Sequence, residues 1–274
     1  MKYFVKTLQY LFSKKGAKKW LYFLLFSLIP AALLAYAVPL YRVLFIIKDT
    51  DTPSFGSIWI SFFMHKGVVL SLVGGFLCNV FISACISSSL TYHMRIGQFS
   101  LPRFFTSINN NFFPCFGRNA TFTLVILFFY TVFVLFDALW NVVLNSIAAV
   151  IASAFMFAVL FVILTYILST ATLWLPTMVL TGEKYQKALT TAFYQSRDKH
   201  KKFFLFYLIM AVFLTGLAVI AYFTSKRPLV SWAITTVSYM VAIIFVHVYR
   251  FVAFFDFNSL TRADLVVSSF KRRL

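Results

Sequence analysis

Residues 148–175 read AAVIASAFMFAVLFVILTYILSTATLWL and contain no charged side chain. A bilayer core about 30 Å thick is spanned by about 20 apolar residues in a helix, because lipid offers no partner to an unpaired backbone N–H or C=O. The run exceeds this length, so it predicts a transmembrane helix that tilts or is broken near its hydroxyl-rich part, residues 165–172. A segment of this kind is typical of the all-α integral membrane proteins.

Five more apolar runs surround this one, at residues 20–47, 67–90, 120–140, 203–224 and 229–255. Only 12% of the 274 residues are charged and 61% are hydrophobic, whereas a soluble domain carries about 25% charged residues. We therefore predict a single domain of six transmembrane helices over residues 20–256. A cytoplasmic amphipathic basic helix is predicted before it in residues 1–19, and a cytoplasmic basic tail after it in residues 257–274.

The basic residues are distributed unevenly between the two sides of this predicted bundle. Of the 25 Lys and Arg residues, 20 fall at the two termini and in or beside the second and fourth loops; the other five are Arg42, Lys48, Lys66, Lys226 and Arg227. Because Lys and Arg concentrate in cytoplasmic loops, six spans with this distribution place both termini in the cytoplasm. Anionic lipid headgroups explain the net charge of +18 more simply than nucleic acid does. We predict a multi-pass protein of the cell inner (plasma) membrane that binds no nucleic acid.

Amphipathic segments are predicted on the cytoplasmic side, in the N-terminal tail, at residues 100–112, at residues 185–193 and after residue 261. In the tail, Phe4, Leu8, Leu11 and Phe12 form the apolar face. Such helices are either short connectors that rest on the bilayer or a docking platform for a protein partner or anionic lipids. The candidate contact residues are lysines of the tail and the fourth loop, namely Lys2, Lys6, Lys14, Lys15, Lys184, Lys187, Lys201 and Lys202.

The second and fourth loops have the same order of sequence features. Each follows a span that ends in hydroxyl residues, and a lone glycine comes next, Gly97 in one and Gly182 in the other. An amphipathic helix and a new span follow in both. The two glycines are 85 residues apart, which fits a parallel internal repeat about an axis along the membrane normal.

The segment Leu175-Pro176-Thr177, then Gly182, then Lys187-Ala188-Leu189 and a basic run, resembles the pattern of the YciC-like and YesL-like families of bacterial multi-pass proteins. The motif Ser54-Phe55 to Ile58-Trp59 with Phe62-Phe63, after Pro39, is similar to the first half of the YesL-like group. The resemblance implies a bacterial inner-membrane protein with six helices. Both families are uncharacterised and have no established catalytic residues, so it implies none in this chain.

Polar side chains inside the predicted spans are the first place to look for function, because they are costly in lipid. The candidates are Asn79, Asp137, Asn141, His247, Arg250 and Asp256. Asp137, Asn141 and Asn145 are spaced as one helical stripe near the outer end of the third span. That stripe either binds a cation or a polar substrate group or is the end of the span emerging into water, and we favour the second interpretation.

The other candidates also allow two interpretations. Asn79 continues a stripe of small residues with Ser83 and Ser87, which we interpret as helix packing rather than a substrate path. Arg250 is predicted to contact Asp256 or to reach a lipid headgroup. The alternative is a proton or anion relay through His247.

Nucleotide-binding, catalytic and metal-binding motifs are absent from the sequence: it has no Walker loop, GxSxG, HExxH or paired cysteine metal motif. We therefore predict that the chain is not an enzyme and uses no cofactor or metal. The first hypothesis is a bacterial accessory or scaffold protein that acts through protein or anionic-lipid contacts on the cytoplasmic face. The alternative hypothesis is a transporter of a small molecule or a lipid.

Overall fold

A computed structural model describes residues 2–12, 17–39, 59, 67–97, 108–144 and 146–263 of the chain. The helices in these ranges are α1 (Lys2–Leu11), α2 (Ala17–Ala37), α3 (Val68–Ile96), α4 (Ile108–Val143), α5 (Ser146–Thr170), α6 (Trp174–Thr181), α7 (Tyr185–Arg197), α8 (His200–Phe223) and α9 (Pro228–Phe257). No β-strand occurs in the described ranges. The predictions for Lys14, Lys15, Asn145, most of residues 100–112 and the helix after residue 261 fall outside them.

Five helical segments of the described chain are long and apolar enough to cross a membrane. They are α3, α4, the α5–α6 pair from Ile147 to Thr181, α8 and α9. The predicted all-helical class with several candidate spans is thus confirmed. The apolar part of α2, Leu21–Ala37, is shorter, and residues 40–47 of the predicted first span lie outside the described ranges. A sixth span therefore stays a prediction.

The long helices follow one another around the bundle in chain order. α2 packs on α3, α3 on α4, α4 on α5, α5 on α8, α8 on α9, and α9 returns to α2. The short helix α6 touches α3, α4 and α9, and α1 packs on α9. We call the end of the bundle that carries α1, α6 and α7 the basic end, because the exposed lysines Lys184, Lys187, Lys201 and Lys202 lie there.

The contact between α2 and α3 depends on a glycine. A Cβ atom at Gly75 would lie 3.0 Å from Cγ of Leu34 and 3.3 Å from the backbone nitrogen of the same residue. Small residues allow helix backbones to approach closely in membranes. Gly75 therefore allows α2 and α3 to pack closely.

Replacing Gly75 with leucine is expected to lower the stability of the protein by about 1–3 kcal/mol, because the added side chain forces α2 away from α3. Gly216→Leu is the matched control, since no atom lies within 4 Å of a Cβ at Gly216. Thermal unfolding of the detergent-solubilised variants, followed by intrinsic fluorescence, measures the difference. Equal melting temperatures for the two variants would contradict this account of the contact.

The long apolar run quoted above is broken between α5 and α6, at residues 171–173. Pro176 has no N–H, and its ring would oppose the carbonyl of Thr172 if the helix continued. The hydroxyl of Thr172 donates a hydrogen bond of 2.7 Å to the carbonyl of Ser169, which satisfies a backbone acceptor at the break. The predicted interruption is therefore present, at the end of the hydroxyl-rich part.

The N-terminal helix packs through a face different from the predicted one. Tyr3, Thr7 and Tyr10 are buried together with Leu11, whereas Phe12 is 70% exposed. The reason is that α1 rests on other helices: the Tyr3 ring lies 5.8 Å from the ring of Phe203 on α8. Burial and the nearby Asp256 carboxylate raise the pKa of Tyr3.

The two glycines of the proposed repeat end helices in the same way. Gly97 after α3 and Gly182 after α6 have φ angles of 76° and 71° and donate their N–H groups to the carbonyls four residues earlier. A positive φ at a helix end favours glycine. The two ends also meet, because Nη2 of Arg95 donates a hydrogen bond of 3.1 Å to the carbonyl of Leu180. A symmetry axis through them stays a prediction.

Candidate functional site

Two arginine side chains are buried inside the bundle. Arg250 of α9 is 2% exposed; its Nε donates a hydrogen bond of 3.0 Å to the hydroxyl of Tyr207 on α8, and its guanidinium lies 5.9 Å from the centre of that ring. Arg118 of α4 is 6% exposed, and its Nη1 donates a hydrogen bond of 3.0 Å to Oδ1 of Asn119. Its guanidinium lies 4.8 Å from the centre of the Phe122 ring. Each cation is thus held by a polar neighbour and an aromatic ring.

The two arginines belong to one site. Their guanidinium groups interact electrostatically with each other, and His247 interacts with both. We call Arg118, Asn119, Tyr207, His247 and Arg250 the cationic cluster. Three helices contribute to it: α4, and the consecutive helices α8 and α9, which are distant from α4 in the sequence.

The cationic cluster has no acidic partner in the described part of the chain. Of the acids described there, Asp137 bonds Ser153, Glu183 bonds Thr191, Asp198 ends α7 and Asp256 pairs with Lys6. Among the described residues, the charged neighbour that acts on Arg118 is the other arginine, and no carboxylate does so. A buried charge without a counter-charge is strongly destabilising. The site is therefore suited to an anion.

The cluster lies well inside the bundle, toward the basic end. At 1.5 Å per residue, Arg118 is about 15 Å from Ile108, the first residue of α4, and Arg250 is about 10 Å from Phe257, the last of α9. Tyr207 is also about 10 Å from the start of α8. These depths place the cluster inside the apolar runs of α8 and α9, near their ends, and directly before the apolar run of α4, which begins at residue 120.

Several polar atoms of the cluster and its surroundings have no hydrogen-bond partner among the described residues. They are Nε of Arg118, Nδ2 of Asn119, Nε2 of His247, Oγ of Ser83 and Oδ1 of Asn79. Buried polar atoms are rarely left unsatisfied in proteins. His247 Nδ1 lies 2.8 Å from the Ile243 carbonyl, so in the neutral ring it carries the hydrogen and Nε2 can accept one. A ligand with both acceptor oxygens and a hydroxyl would satisfy these atoms.

A second feature lies beyond the cluster, farther from the basic end. A cavity of about 830 Å³ lies between α2, α3, α4 and α5. Apolar side chains such as Leu34, Phe133 and Phe157 form most of its lining, and the polar residues Asn79 and Thr123 also line it. Asn79, the first member of the predicted stripe with Ser83 and Ser87, therefore faces this cavity.

The other predicted polar stripe differs from the favoured interpretation. Asp137 is 1% exposed, so it does not emerge into water at the end of a span. Its Oδ1 accepts a hydrogen bond of 2.5 Å from Ser153 on α5, and Nδ2 of Asn141 donates one of 2.8 Å to its backbone carbonyl. Asp137 thus joins α4 to α5, and it takes no part in the cationic cluster.

The predicted contact between Arg250 and Asp256 is wrong. Residues six apart on a helix are separated by about 9 Å along its axis and point in different directions. Asp256 instead forms an ion pair with Lys6 of α1, and Arg250 points into the bundle rather than to a headgroup at its edge.

The candidate lysines of the fourth loop and α8 lie on the surface of the described chain, apart from the buried cluster. Lys184, Lys187, Lys201 and Lys202 are exposed, and Lys2 begins α1, with a side chain outside the described part. Their contacts with lipid or a partner stay predictions.

Sequence reasoning found His247 and Arg250 but missed Arg118. It counted Arg118 among the basic residues of the second loop, because the apolar run of the third span begins at residue 120. The structure instead continues α4 from Ile108 through Pro114 and Gly117. Gly117 is needed there, since a Cβ atom would lie 2.9 Å from the Tyr185 ring of α7. The available signal was Phe112, Cys115 and Phe122, apolar residues at helical spacing on both sides of Arg118.

Comparison with known proteins finds no matching family model, no matching curated protein and no matching solved structure. The resemblance to the YciC-like and YesL-like families therefore stays a prediction. Among the described residues, no group of His, Cys, Asp and Glu is arranged to hold a metal ion.

Proposed function

We propose that this chain is a non-enzymatic membrane protein that binds an anionic ligand between Arg118 and Arg250, and that this binding is the central step of a transport function. The observation that supports it is the buried pair of arginines without a carboxylate partner in the described residues. Intramembrane charges usually pair with one another or mark the path of a substrate. Here both charges are positive, so an anion from outside the chain neutralises them.

The broken helix α5–α6 supports the same function. The ring of Trp174, the first residue of α6, lies 6.1 Å from the ring of Phe122, on which the Arg118 guanidinium rests. A helix N-terminus carries partial positive charge. Transporters use the N-termini of such discontinuous helices near anionic substrate groups. The positive end of α6 therefore adds to the potential that favours an anion at this depth.

Binding is tested with inorganic phosphate as the probe, on purified protein in detergent at constant ionic strength. Phosphate is expected to raise the melting temperature of the wild type, because a ligand that binds only the folded state stabilises it. Arg118→Gln and Arg250→Gln are expected to lose most of this shift. The control is Arg197→Gln, which makes the same substitution at an exposed site on α7. Equal shifts in all four proteins would refute the proposal.

A second function, the accessory or scaffold role, is supported by the exposed surface of α7. This helix buries Ala188, Ala192 and Ser196 and leaves Phe193 and Tyr194 53% and 71% exposed. Such apolar exposure beside basic residues suits a membrane surface or a partner helix. Native mass spectrometry after mild extraction tests it. A stoichiometric protein partner that Phe193→Ser removes would support this role, and the absence of any specific partner would count against it.

Both functions assume the predicted orientation, with the basic end in the cytoplasm. The exposed lysines of α7 and α8 support this orientation, because cytoplasmic segments are rich in Lys and Arg. Localisation to the inner membrane of a bacterium is part of the same proposal.

A further inference from the structure

We infer that the anionic ligand is a phospholipid, whose phosphate group binds Arg118 and Arg250 and whose acyl chain occupies the cavity between α2, α3, α4 and α5. This inference rests on the anion binding proposed above and names its ligand class. Four observations support it: the lining and size of the cavity, its proximity to the cationic cluster, the enclosure of the two arginines, and their positions on different helices.

The cavity is suited to hydrocarbon. Its volume of about 830 Å³ lies within the range of about 300–1,000 Å³ that is usual for ligand sites. The lining side chains are mainly Leu, Val, Ile and Phe, for example Val73, Ile126 and Leu164. Water gains little in an apolar cavity, because it needs two to four polar partners. An acyl chain needs none.

On two helices, residues that line the cavity lie within a few turns of the cationic cluster. On α4, Thr123 lines the cavity and Arg118 lies five residues earlier, about 7.5 Å along the axis. On α3, Asn79 lines the cavity, and Ser83 and Ser87 follow at one-turn intervals toward the basic end. One molecule with an apolar chain and an anionic head therefore fits both features at once.

The polar atoms between the cavity and the cluster suit the middle of a phospholipid. The hydroxyl of Ser83 has no hydrogen-bond partner among the described residues, and the hydroxyl of Ser87 contacts the Cys115 thiol. The hydroxyls can donate hydrogen bonds to the ester carbonyls that join an acyl chain to its headgroup. The unsatisfied Nε–H of Arg118 and Nδ2 of Asn119 then face the phosphate.

The geometry of the two guanidiniums suits the phosphodiester of a lipid. Arg118 and Arg250 are 6% and 2% exposed, so each guanidinium is enclosed by the bundle. The guanidiniums come from two helices and need acceptor oxygens that point in different directions. A phosphodiester supplies two charged oxygens on a tetrahedral centre, and guanidinium groups bind such oxygens well.

The test measures two quantities in the same proteins. The first is the phosphatidylglycerol retained per protein, by native mass spectrometry after equilibration with vesicles of phosphatidylcholine containing phosphatidylglycerol. The second is the rise in melting temperature with inorganic phosphate. The variants are Ile126→Trp and Leu164→Trp, which fill the cavity, and Arg118→Gln. The controls are Ile220→Trp, an exposed position on α8 that does not line the cavity, and Arg197→Gln.

Both cavity variants are expected to retain about tenfold less phosphatidylglycerol than Ile220→Trp, because displacing a few buried CH₂ groups costs at least that factor. Their response to phosphate is expected to persist, which also shows that they fold. Arg118→Gln is expected to lose both the lipid and the phosphate response.

Two results distinguish a failure of the lipid inference from a failure of the proposed anion binding. Cavity variants that keep the phosphate response and retain as much phosphatidylglycerol as the control would overturn the lipid inference, while anion binding would stand. An Arg118→Gln variant that keeps the phosphate response would overturn the proposed function and this inference together.

Discussion

Arg118→Gln is expected to raise the melting temperature of the ligand-free protein while removing the stabilisation that phosphate gives. In the ligand-free state the guanidiniums of Arg118 and Arg250 repel each other at a depth where the effective dielectric constant is low. Replacing buried charges with neutral side chains of similar size is often stabilising, by about 1–4 kcal/mol. The measurement is thermal unfolding in phosphate-free detergent after lipid removal, then with phosphate added.

Two further variants make this prediction specific. Arg250→Gln relieves the same repulsion, and each variant loses one hydrogen bond of 3.0 Å, to Tyr207 or to Asn119, so similar gains in stability are expected. Arg197→Gln, at the exposed end of α7, should change stability by less than about 0.5 kcal/mol. A fall of several kcal/mol in Arg118→Gln would instead mean that Arg118 is neutralised by an acid, and the anion site would be rejected.

Trp174→Ala is expected to have the largest effect on stability, a loss of about 3–5 kcal/mol. Trp174 begins α6 directly after the break and is 1% exposed. Its ring lies 4.7 Å from that of Tyr185 and 6.1 Å from that of Phe122, and its Nε1 donates a hydrogen bond of 3.2 Å to the Tyr185 carbonyl. Removing the indole leaves a cavity between α4, α6 and α7. Chemical denaturation in mixed micelles measures the loss.

The structure provides a matched tryptophan for comparison. Trp232 is 40% exposed on α9, and its Nε1 donates a hydrogen bond of 3.2 Å to the carbonyl of Ala32 on α2, so Trp232→Ala is expected to cost about 1–2 kcal/mol, less than Trp174→Ala. Trp174→Phe keeps an aromatic ring in place and loses the hydrogen bond, so it should cost markedly less than alanine. Comparable losses for Trp174→Ala and Trp232→Ala would mean that the break is not held by Trp174.

The sequence predicted the helices because a local property defines them. Each span is a continuous apolar run, and lipid forces such a run to satisfy its backbone within one helix. The break before α6 was readable for the same reason, since Pro176 and the hydroxyls of Ser169 and Thr172 are neighbours in the chain. Boundaries were less readable where polar residues occur inside a helix. Asn111 and Arg118 shifted the predicted start of the third span from residue 108 to residue 120.

The site could be predicted only in part. His247 and Arg250 were selected because ionisable groups in a span are rare and costly, and they do belong to the cluster. Arg118, the other arginine of the cluster, was not selected, because the sequence does not show that residues 118 and 250 lie close together in the folded protein. The same limitation applies to Asp137, which was expected to reach water and instead bonds Ser153.

By itself the sequence determined that the chain is an all-helical protein with several candidate membrane spans. The length of an apolar run and its charge content are local properties of the sequence, and they decide whether a helix is stable in lipid. The tertiary structure decided that α4, α8 and α9 bring two arginines and a histidine together and that the Asn79 stripe faces a cavity. Those results depend on how each helix is rotated against its neighbours. Side-chain packing between helices that are distant in the chain sets that rotation. The sequence does not reveal it, because the lipid-facing side of a membrane helix is as apolar as the side that packs against other helices.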